Sequence, residues 1–381
     1  MRSTARFGAL LLFLAGVEGM ARLDDTIHLG VPFLASPDNE YDLKLRESWG
    51  FRGRPHGLFR KWKLNEYGFR GPEIAERPAA DVNRVFVLGA SETFGLLESN
   101  QREYPAQLQE ILQQRGNFEV VNGGITSMTA ASMLSFWENW ACRFQPRIVV
   151  IYASPVFYLR DLAPEPPRVL PESELASAHP EFQLRLVDRA SSLYRQLPFW
   201  VRSIRRDWQL KREVASHEKS WFFTTVPEDR LAQYRDDVAT LVRRIRESGA
   251  CPIIVTHAIS ATFPPRTEDL PHLHDMRAEF SRPTAEIMSQ FEKRANQALR
   301  ELGRQEGIPL VDVDAALTGQ RGLFGDLVHF NDAGSARMAE LLADGIATQS
   351  AQTPSQAVSK STAQPLGTAG PARSVPRFPG L

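Results

Sequence analysis

The chain lacks most of the features that assign a function from composition alone. It has only two cysteines, too few for a disulfide framework or an all-cysteine zinc site. Its 45 basic residues balance 45 acidic ones, which argues against a nucleic-acid-binding protein, because phosphate contacts need a basic excess. No apolar run reaches the roughly 18–20 residues that cross a bilayer. A mostly soluble globular protein remains, and 381 residues at 43% hydrophobic suffice for one large or two ordinary domains.

Several cofactor and catalytic motifs are also missing. The sequence has no P-loop, no dinucleotide-binding glycine motif and no metalloprotease helix motif, so we expect no cofactor and no metal. The serine elbow of α/β-hydrolases needs a glycine two residues after the serine, where this chain has Thr93. His272, His274 and Asp275 resemble metal ligands by residue type, but a polar loop is the better interpretation.

The amino terminus reads as a targeting segment. Arg2 and Arg6 precede the apolar run Phe7–Val17, and Glu18 ends that run. This pattern is typical of a signal peptide or an uncleaved N-terminal membrane anchor over residues 1–21; a buried core helix is the alternative. We expect the body of the protein to be extracytoplasmic, that is, periplasmic or secreted, with a membrane tether through the N-terminus left open.

The rest of the chain divides by composition. Residues 348–381 are mostly Ser, Thr, Ala, Pro and Gly and predict a disordered tail, because they cannot bury enough apolar surface to offset chain entropy. Between leader and tail we expect a lead-in segment at 22–80 and a domain at 81–347, with an insertion at about 160–225.

The body alternates short apolar runs with segments of helical period. Continuous apolar runs suit strands covered on both faces, and strand–helix alternation favours a parallel, doubly wound α/β sheet. The predicted strands are Arg84–Leu88, Phe118–Val121, Arg147–Tyr152, Pro252–Thr256 and Ile308–Val311, and the predicted helices include Pro105–Gln114, Pro227–Arg246 and Thr284–Leu302.

Reactive side chains follow the carboxyl ends of these strands, where ligands bind in open parallel sheets. Ser91 follows the first strand, and its hydroxyl needs a base to become a nucleophile. His329 is the natural base, and Asp326, three residues earlier, would orient its imidazole. The backbone N–H groups of Ser91 and Gly124 would face the developing oxyanion. These residue types together point to acyl transfer.

Three blocks of the sequence resemble a known family. FVLGASETFG, VVNGG and LFGDLVHFNDAGSARMAELL are similar to blocks I, II and V of the SGNH (GDSL) hydrolases. Asn65–Glu73 resembles a lead-in of a bacterial, envelope-directed branch of that family. The resemblance covers roughly residues 60–345. It implies a flavodoxin-like three-layer sandwich with a five-stranded parallel sheet in the order 2-1-3-4-5.

The resemblance also implies a chemistry. Ser91 would be the nucleophile, His329 the base and Asp326 its orienter, with Ser91 and Gly124 as backbone oxyanion donors. The reaction would be hydrolysis of an O-acyl ester on a small molecule, glycan or lipid, or an O-acetyl transfer on the same scaffold. An inactive carbohydrate-binding or assembly protein is the alternative from another class.

Two positions depart from the family pattern. Ala90 stands where block I usually has Asp, which removes no catalytic group. Val156 stands where block III supplies an Asn side chain as a third oxyanion donor, and losing one such donor costs about 2.7–4 kcal/mol of transition-state stabilisation. Ser154 or another residue could substitute.

The sequence leaves two interpretations open for each of three further side chains. His257, at the end of the fourth strand, either borders the site or is a structural histidine. Cys142 and Cys251 precede neighbouring strands, so they form either a disulfide or two separate thiols.

Overall fold

The structure is a computed structural model that describes residues 2–29, 33–34, 43–59, 61–160, 184–186 and 199–352. Helix α1 (Arg2–Leu29) contains the predicted leader and continues past its expected end at residue 21. Large apolar side chains of this helix, among them Phe7, Leu12 and Phe13, are exposed. Within the described parts of the chain, no helix combines the length and the hydrophobicity that crossing a membrane requires.

The lead-in segment forms two small antiparallel hairpins. They are built from β1 (Lys44–Glu47), β2 (Gly50–Gly53), β3 (Leu58–Phe59) and β4 (Trp62–Lys63). A turn follows in which Asn65 Oδ1 accepts hydrogen bonds from the amides of Tyr67 and Phe69, each at 3.0 Å. This turn directs Phe69 into the main core, where its ring meets that of Phe86 edge-on. The lead-in therefore packs against the domain that follows it.

A five-stranded parallel sheet forms the centre of the fold. Val85 of its first strand pairs with Val120 on one side and with Ile148 on the other. In chain order, the spatial arrangement is second, first, third, fourth, fifth, which confirms the predicted 2-1-3-4-5 order. The strands are β5 (Asn83–Gly89), β6 (Phe118–Asn122), β7 (Ile148–Tyr152), β8 (Cys251–Val255) and β9 (Leu310–Val311).

Helices cover both faces of the sheet and complete three layers. Side chains alternate along β5, so that Val85 and Val87 enter one core while Phe86 and Leu88 enter the other. The helices after α1 are α2 (Ser91–Phe94), α3 (Tyr104–Gln113), α4 (Ala130–Asn139), α5 (Phe199–Ser216), α6 (Glu228–Glu247), α7 (Leu270–Arg277), α8 (Ala285–Glu306), α9 (Val313–Leu317) and α10 (Asp332–Gln352). Helices α3, α9 and α10 pack on the Val85 face, and α4, α6 and α8 pack on the Phe86 face.

Some predicted boundaries are wrong for identifiable reasons. The fifth strand begins at Leu310 rather than Ile308, because the Ile308 amide donates to Gly303 O at 2.8 Å and closes the end of α8. The segment His272–Asp275, predicted as a polar loop, lies in α7, where Leu273 is fully buried and anchors the helix. Helix α10 extends to Gln352, so the first residues of the predicted tail are helical.

Two predicted segments, the insertion and the C-terminal tail, lie partly outside the described residues. Of the predicted insertion, residues 161–183 and 187–198 lie outside the described residues, while α5 and the segment leading to α6 are described. The tail from residue 353 also lies outside them.

Cys142 and Cys251 are both free thiols in the structure.

Candidate active site

Ser91 opens α2 immediately beyond the carboxyl end of β5. The turn between strand and helix is tight: a Cβ on Gly89 would lie 1.8 Å from Thr93 Oγ1, so only glycine fits there. As the first residue of a helix, Ser91 has a backbone N–H without an intrahelical acceptor. The side chain is 7% exposed. The geometry thus places a shielded hydroxyl beside a backbone N–H that no acceptor within the helical turn occupies.

His329 and Asp326 lie beside this hydroxyl, on the loop before α10. His329 Nε2 is 2.8 Å from Ser91 Oγ, and His329 Nδ1 is 2.7 Å from Asp326 Oδ2. The other carboxylate oxygen of Asp326 accepts the amides of Val328 and His329 at 3.0 and 2.8 Å. The three side chains that the sequence singled out therefore form one continuous hydrogen-bonded chain, although 238 residues separate Ser91 from His329.

The pairing changes the acidity of both titratable members. Burial alone would lower the pKa of His329, but the adjacent Asp326 carboxylate outweighs it and raises that pKa to about 9. Burial would likewise raise the pKa of Asp326, yet His329 and two backbone amides hold it below its ordinary value. Asp326 is therefore an anion that stabilises an imidazolium at His329.

The backbone N–H of Gly124, the predicted oxyanion donor, already makes a hydrogen bond in the structure. Its N–H donates to Asn122 Oδ1 at 3.0 Å, so this amide already has an acceptor. The Asn122 amide group in turn donates to Thr93 O at 3.0 Å and ties the end of β6 to α2. Asn122 was not singled out from the sequence, although it lies inside the VVNGG block. The oxyanion role of Gly124 stays a prediction.

The third donor position is apolar, and two unpaired hydroxyls lie near the same sheet edge. Val156 is 3% exposed and packs in the main core within a 3₁₀ turn at Pro155–Leu159. Within the described residues, the buried hydroxyls of Ser154 and Thr126 make no hydrogen bond. Ser154 follows β7 and Thr126 follows β6, the two neighbours of the strand that leads to Ser91. A buried hydroxyl without a hydrogen-bond partner lowers the free energy of unfolding by about 1–3 kcal/mol. This cost favours a functional role for the two hydroxyls over a structural one.

A second histidine, His257, is connected to Ser91 through the side chain of Glu92. His257 is fully buried, with Glu92 at 3.1 Å from its Nε2 and Glu292 in hydrogen-bond contact with its Nδ1. Its backbone N–H and C=O both bond to the Asn296 side chain at 2.7 Å. Of the two interpretations left open, His257 is a structural histidine, because it is fully buried and all its polar groups are hydrogen-bonded; it reaches Ser91 only through Glu92. The sequence signal was weak: an acid next to the serine and a histidine two residues after β8.

The histidines of α7 do not form a metal site. His272 Nδ1 lies 2.7 Å from Ser260 Oγ, and His274 Nε2 lies 2.7 Å from Asp207. Among the described residues, no group of three or more His, Cys, Asp or Glu side chains is arranged to hold a metal ion.

This chain matches no family model and no curated protein. A lipase/acylhydrolase from Enterococcus faecalis is 14% identical with a TM-score of 0.42, over 70% of this chain and 96% of the other. The acetylxylan esterase Axe2 from Geobacillus stearothermophilus is 15% identical with a TM-score of 0.40, over 69% and 94%. LAE5, an alpha/beta hydrolase enzyme from the metagenome of Lake Arreo in Spain, is 15% identical with a TM-score of 0.42, over 70% and 95%.

Proposed function

We propose that this protein is a serine ester hydrolase of the SGNH type. The observation that carries the proposal is the hydrogen-bonded chain from Asp326 through His329 to Ser91. Ser91 Oγ attacks the carbonyl carbon of an O-acyl ester while His329 Nε2 takes the hydroxyl proton. The tetrahedral intermediate then expels the alcohol, which receives that proton from His329. Water, deprotonated by His329, attacks the acyl-enzyme, and release of the carboxylic acid restores the Ser91 hydroxyl.

The oxyanion of the intermediate needs donors that are in place before the reaction. The Ser91 N–H, at the first position of α2, is one. Ser154 Oγ, buried and without a hydrogen-bond partner among the described residues, is the third donor in place of the family's Asn. The Gly124 N–H serves as the second once the oxyanion replaces Asn122 Oδ1 as its acceptor.

The proposed substrate is an acylated glycan or a lipid ester outside the cytoplasm. The leader pattern and the exposed apolar side chains of α1 between Phe7 and Leu14 support this location. An enzyme delivered to the cell envelope meets glycans and lipids first. Transfer of the acyl group to a sugar hydroxyl uses the same residues, with the sugar replacing water.

A non-catalytic binding or assembly protein is the second candidate. Two observations favour it: Val156 cannot donate a hydrogen bond, and the Gly124 N–H is bonded to Asn122. In such a protein Ser91 would be no more reactive than any other serine, which gives a direct experimental distinction.

A fluorophosphonate probe, which labels serines activated by a base, separates the two candidates. We expect labelling of the parent chain, none in Ser91→Ala and strongly reduced labelling in His329→Ala. Ser127→Ala is the matched control: Ser127 is an exposed serine three residues beyond Gly124, and its replacement should leave labelling unchanged. Absence of labelling in the folded parent, or labelling that persists in Ser91→Ala, would refute the proposal. Product analysis with and without an acceptor glycan then distinguishes hydrolysis from transfer.

A further inference from the structure

The residue after the nucleophile carries a buried acid that contacts it. Glu92 is 2% exposed, and its Oε2 lies 3.3 Å from Ser91 Oγ, within reach of the hydroxyl proton. Its other oxygen, Oε1, lies 3.1 Å from His257 Nε2. Glu92 therefore bridges the Ser91–His329 pair and the buried cluster below it. The acyl-transfer steps described above make no use of this carboxylate.

His257 holds Glu92 in place as part of a charged cluster. A carboxylate faces each ring nitrogen, Glu92 at Nε2 and Glu292 at Nδ1, so both nitrogens have an acceptor for a proton. Burial alone would lower the pKa of His257, but the two carboxylates raise it to about 10. The ring also stacks on Tyr152 with centroids 5.0 Å apart. Burial alone would raise the pKa of Glu92, but the imidazolium of His257 holds that pKa below its ordinary value and keeps Glu92 an anion.

The Ser91 hydroxyl has one proton and two acceptors. If it donates to His329 Nε2, the neighbouring Glu92 oxygen receives nothing from Ser91. If it donates to Glu92, then His329 Nε2 must carry a proton of its own to bond with Ser91 Oγ. In this second arrangement Ser91 and His257 both donate to Glu92, Ser91 to Oε2 and His257 to Oε1, so each oxygen of the buried carboxylate accepts a hydrogen bond. Hydrogen bonds to a charged acceptor are the stronger ones.

We propose that Glu92 is a positioning residue that holds the resting site in the second arrangement, with Ser91 donating to Glu92 and a protonated His329 donating to Ser91. The site becomes competent when the Nε2 proton of His329 passes to solvent and Ser91 turns its own proton toward the neutral imidazole. His329 is 16% exposed, so water reaches it. This inference describes the resting state of the site proposed above, and it rests on that proposed function.

The charges around His329 agree with this arrangement. Three carboxylates raise its pKa: Asp326 on the same loop, Glu92 on α2 and Glu98 in the loop beyond α2. Glu92 itself faces His257 and His329. Burial raises the pKa values of the phenols Tyr104 and Tyr152, and the Glu92 carboxylate raises them further. Glu98 differs from Glu92 in its contacts, because its Oε1 accepts from Ser335 at 2.7 Å and its Oε2 from the Leu97 amide. It therefore offers a control for charge without contact to Ser91.

The test follows the ring protons of His329 by nitrogen-15 NMR in the full chain as pH is varied. In Glu92→Gln, the amide oxygen can still accept from His257 while the NH₂ group donates to Ser91, which frees the Ser91 proton for His329. We expect the pKa of His329 to fall by about one unit or more, and the acid limb of ester hydrolysis to move to lower pH by the same amount. Glu98→Gln should lower the same pKa by less than half as much.

Ser91→Ala decides the direction of the serine proton and needs no activity. If Ser91 accepts from a protonated His329, removing it destabilises the imidazolium and lowers the pKa of His329. If Ser91 donates to a neutral His329, removing it raises that pKa. A rise in Ser91→Ala, or equal shifts in Glu92→Gln and Glu98→Gln, would overturn the inference. Since ring titration is independent of ester cleavage, failed probe labelling with the expected NMR shifts would defeat the proposed function and leave this proton arrangement standing.

Discussion

Arg70 of the lead-in donates through Nη1 to the carbonyl oxygen of Gly95 at 2.7 Å. Gly95 ends α2, the single helical turn that begins with Ser91. The last carbonyls of a helix have no intrahelical donor, and a one-turn helix has little else to hold it. The same guanidinium group also contacts Phe94 O and pairs with Glu103. The lead-in segment therefore holds the far end of the helical turn that begins with Ser91, without a hydrogen bond to Ser91 itself.

Replacement of Arg70 should destabilise the fold. Arg70 and Glu103 are 5% and 3% exposed and lie 2.7 Å apart, so Arg70→Ala leaves a buried carboxylate without its partner. We expect a loss of about 3–5 kcal/mol in the free energy of unfolding, measured by urea denaturation. Arg115→Ala is the matched control, because Arg115 also bonds a carbonyl and a carboxylate but is exposed. It should cost about 1 kcal/mol or less. Equal losses in the two variants would contradict the role given to Arg70.

The rate of ester hydrolysis should depend on the proton of His329. The base must be neutral to accept the Ser91 proton, and the pKa of His329 is raised to about 9, where burial opposes and Asp326 favours the charged form. We therefore expect kcat/KM to rise about tenfold per pH unit below pH 9 and to level off above it. The measurement uses a short-chain nitrophenyl ester, with Ser91→Ala as the blank for spontaneous hydrolysis. A profile that is flat from pH 6 to 9 would show that the neutral base is already present.

Folding stability should show the opposite pH trend. The pKa of His329 is about 9 in the folded protein, above its ordinary value of 6.5. The stabilisation from this group is therefore fully present below pH 6.5 and is lost as pH rises through 9. Its size is on the order of 3 kcal/mol. We expect the free energy of unfolding to fall between pH 7 and 9.5, and to fall less steeply in His329→Gln. An identical slope in both proteins would exclude this linkage.

Local sequence patterns were sufficient to predict the sheet. Runs such as Val85–Leu88 and Ile148–Tyr152 are apolar throughout because both faces of their strands are covered, and that signal is present within the strand itself. The edge of the sheet then brought together Ser91 and His329, since the carboxyl ends of parallel strands meet at one edge. The start of β9 was missed because the Ile308 amide closes the end of α8 instead of pairing in the sheet. The helix at His272–Asp275 was missed because the burial of Leu273 against other elements decides it.

The supporting parts of the site could not be predicted from the sequence. Arg70 meets α2 from 25 residues away, and His257 meets Glu92 across 165 residues. No periodicity or spacing in the sequence predicts such a pairing, because each pairing depends on how separate elements pack. From the sequence alone, a buried charged residue cannot be distinguished from an exposed one until its partners are known. Asn122 illustrates the same limit: its amide joins β6 to α2 by a bond to Thr93 O, 29 residues away, that only the fold creates.

Gly124 should be intolerant of a side chain. A Cβ there would lie 2.5 Å from the Phe94 amide nitrogen and 2.9 Å from the Thr93 carbonyl carbon, both backbone atoms of α2. Gly124→Ala should therefore push α2 away from β6, lower kcat by about 10²-fold through displacement of Ser91, and cost about 1–3 kcal/mol of stability. Gly322→Ala is the control, since nothing lies within 4 Å of its Cβ position. Wild-type kinetics in Gly124→Ala would show that the contact is not rigid.

The unpaired hydroxyls of Ser154 and Thr126 separate a catalytic role from a structural one. If Ser154 Oγ donates to the oxyanion, Ser154→Ala should lower kcat/KM for a short-chain ester by about 10²–10³-fold. Because this hydroxyl makes no hydrogen bond among the described residues, its removal should leave the free energy of unfolding unchanged or higher. Thr126→Val removes the other hydroxyl at constant shape and should leave kcat/KM unchanged. A rate loss in Thr126→Val alone would assign the third donor to Thr126. If both variants kept the parent rate, neither hydroxyl would replace the donor that Val156 lacks.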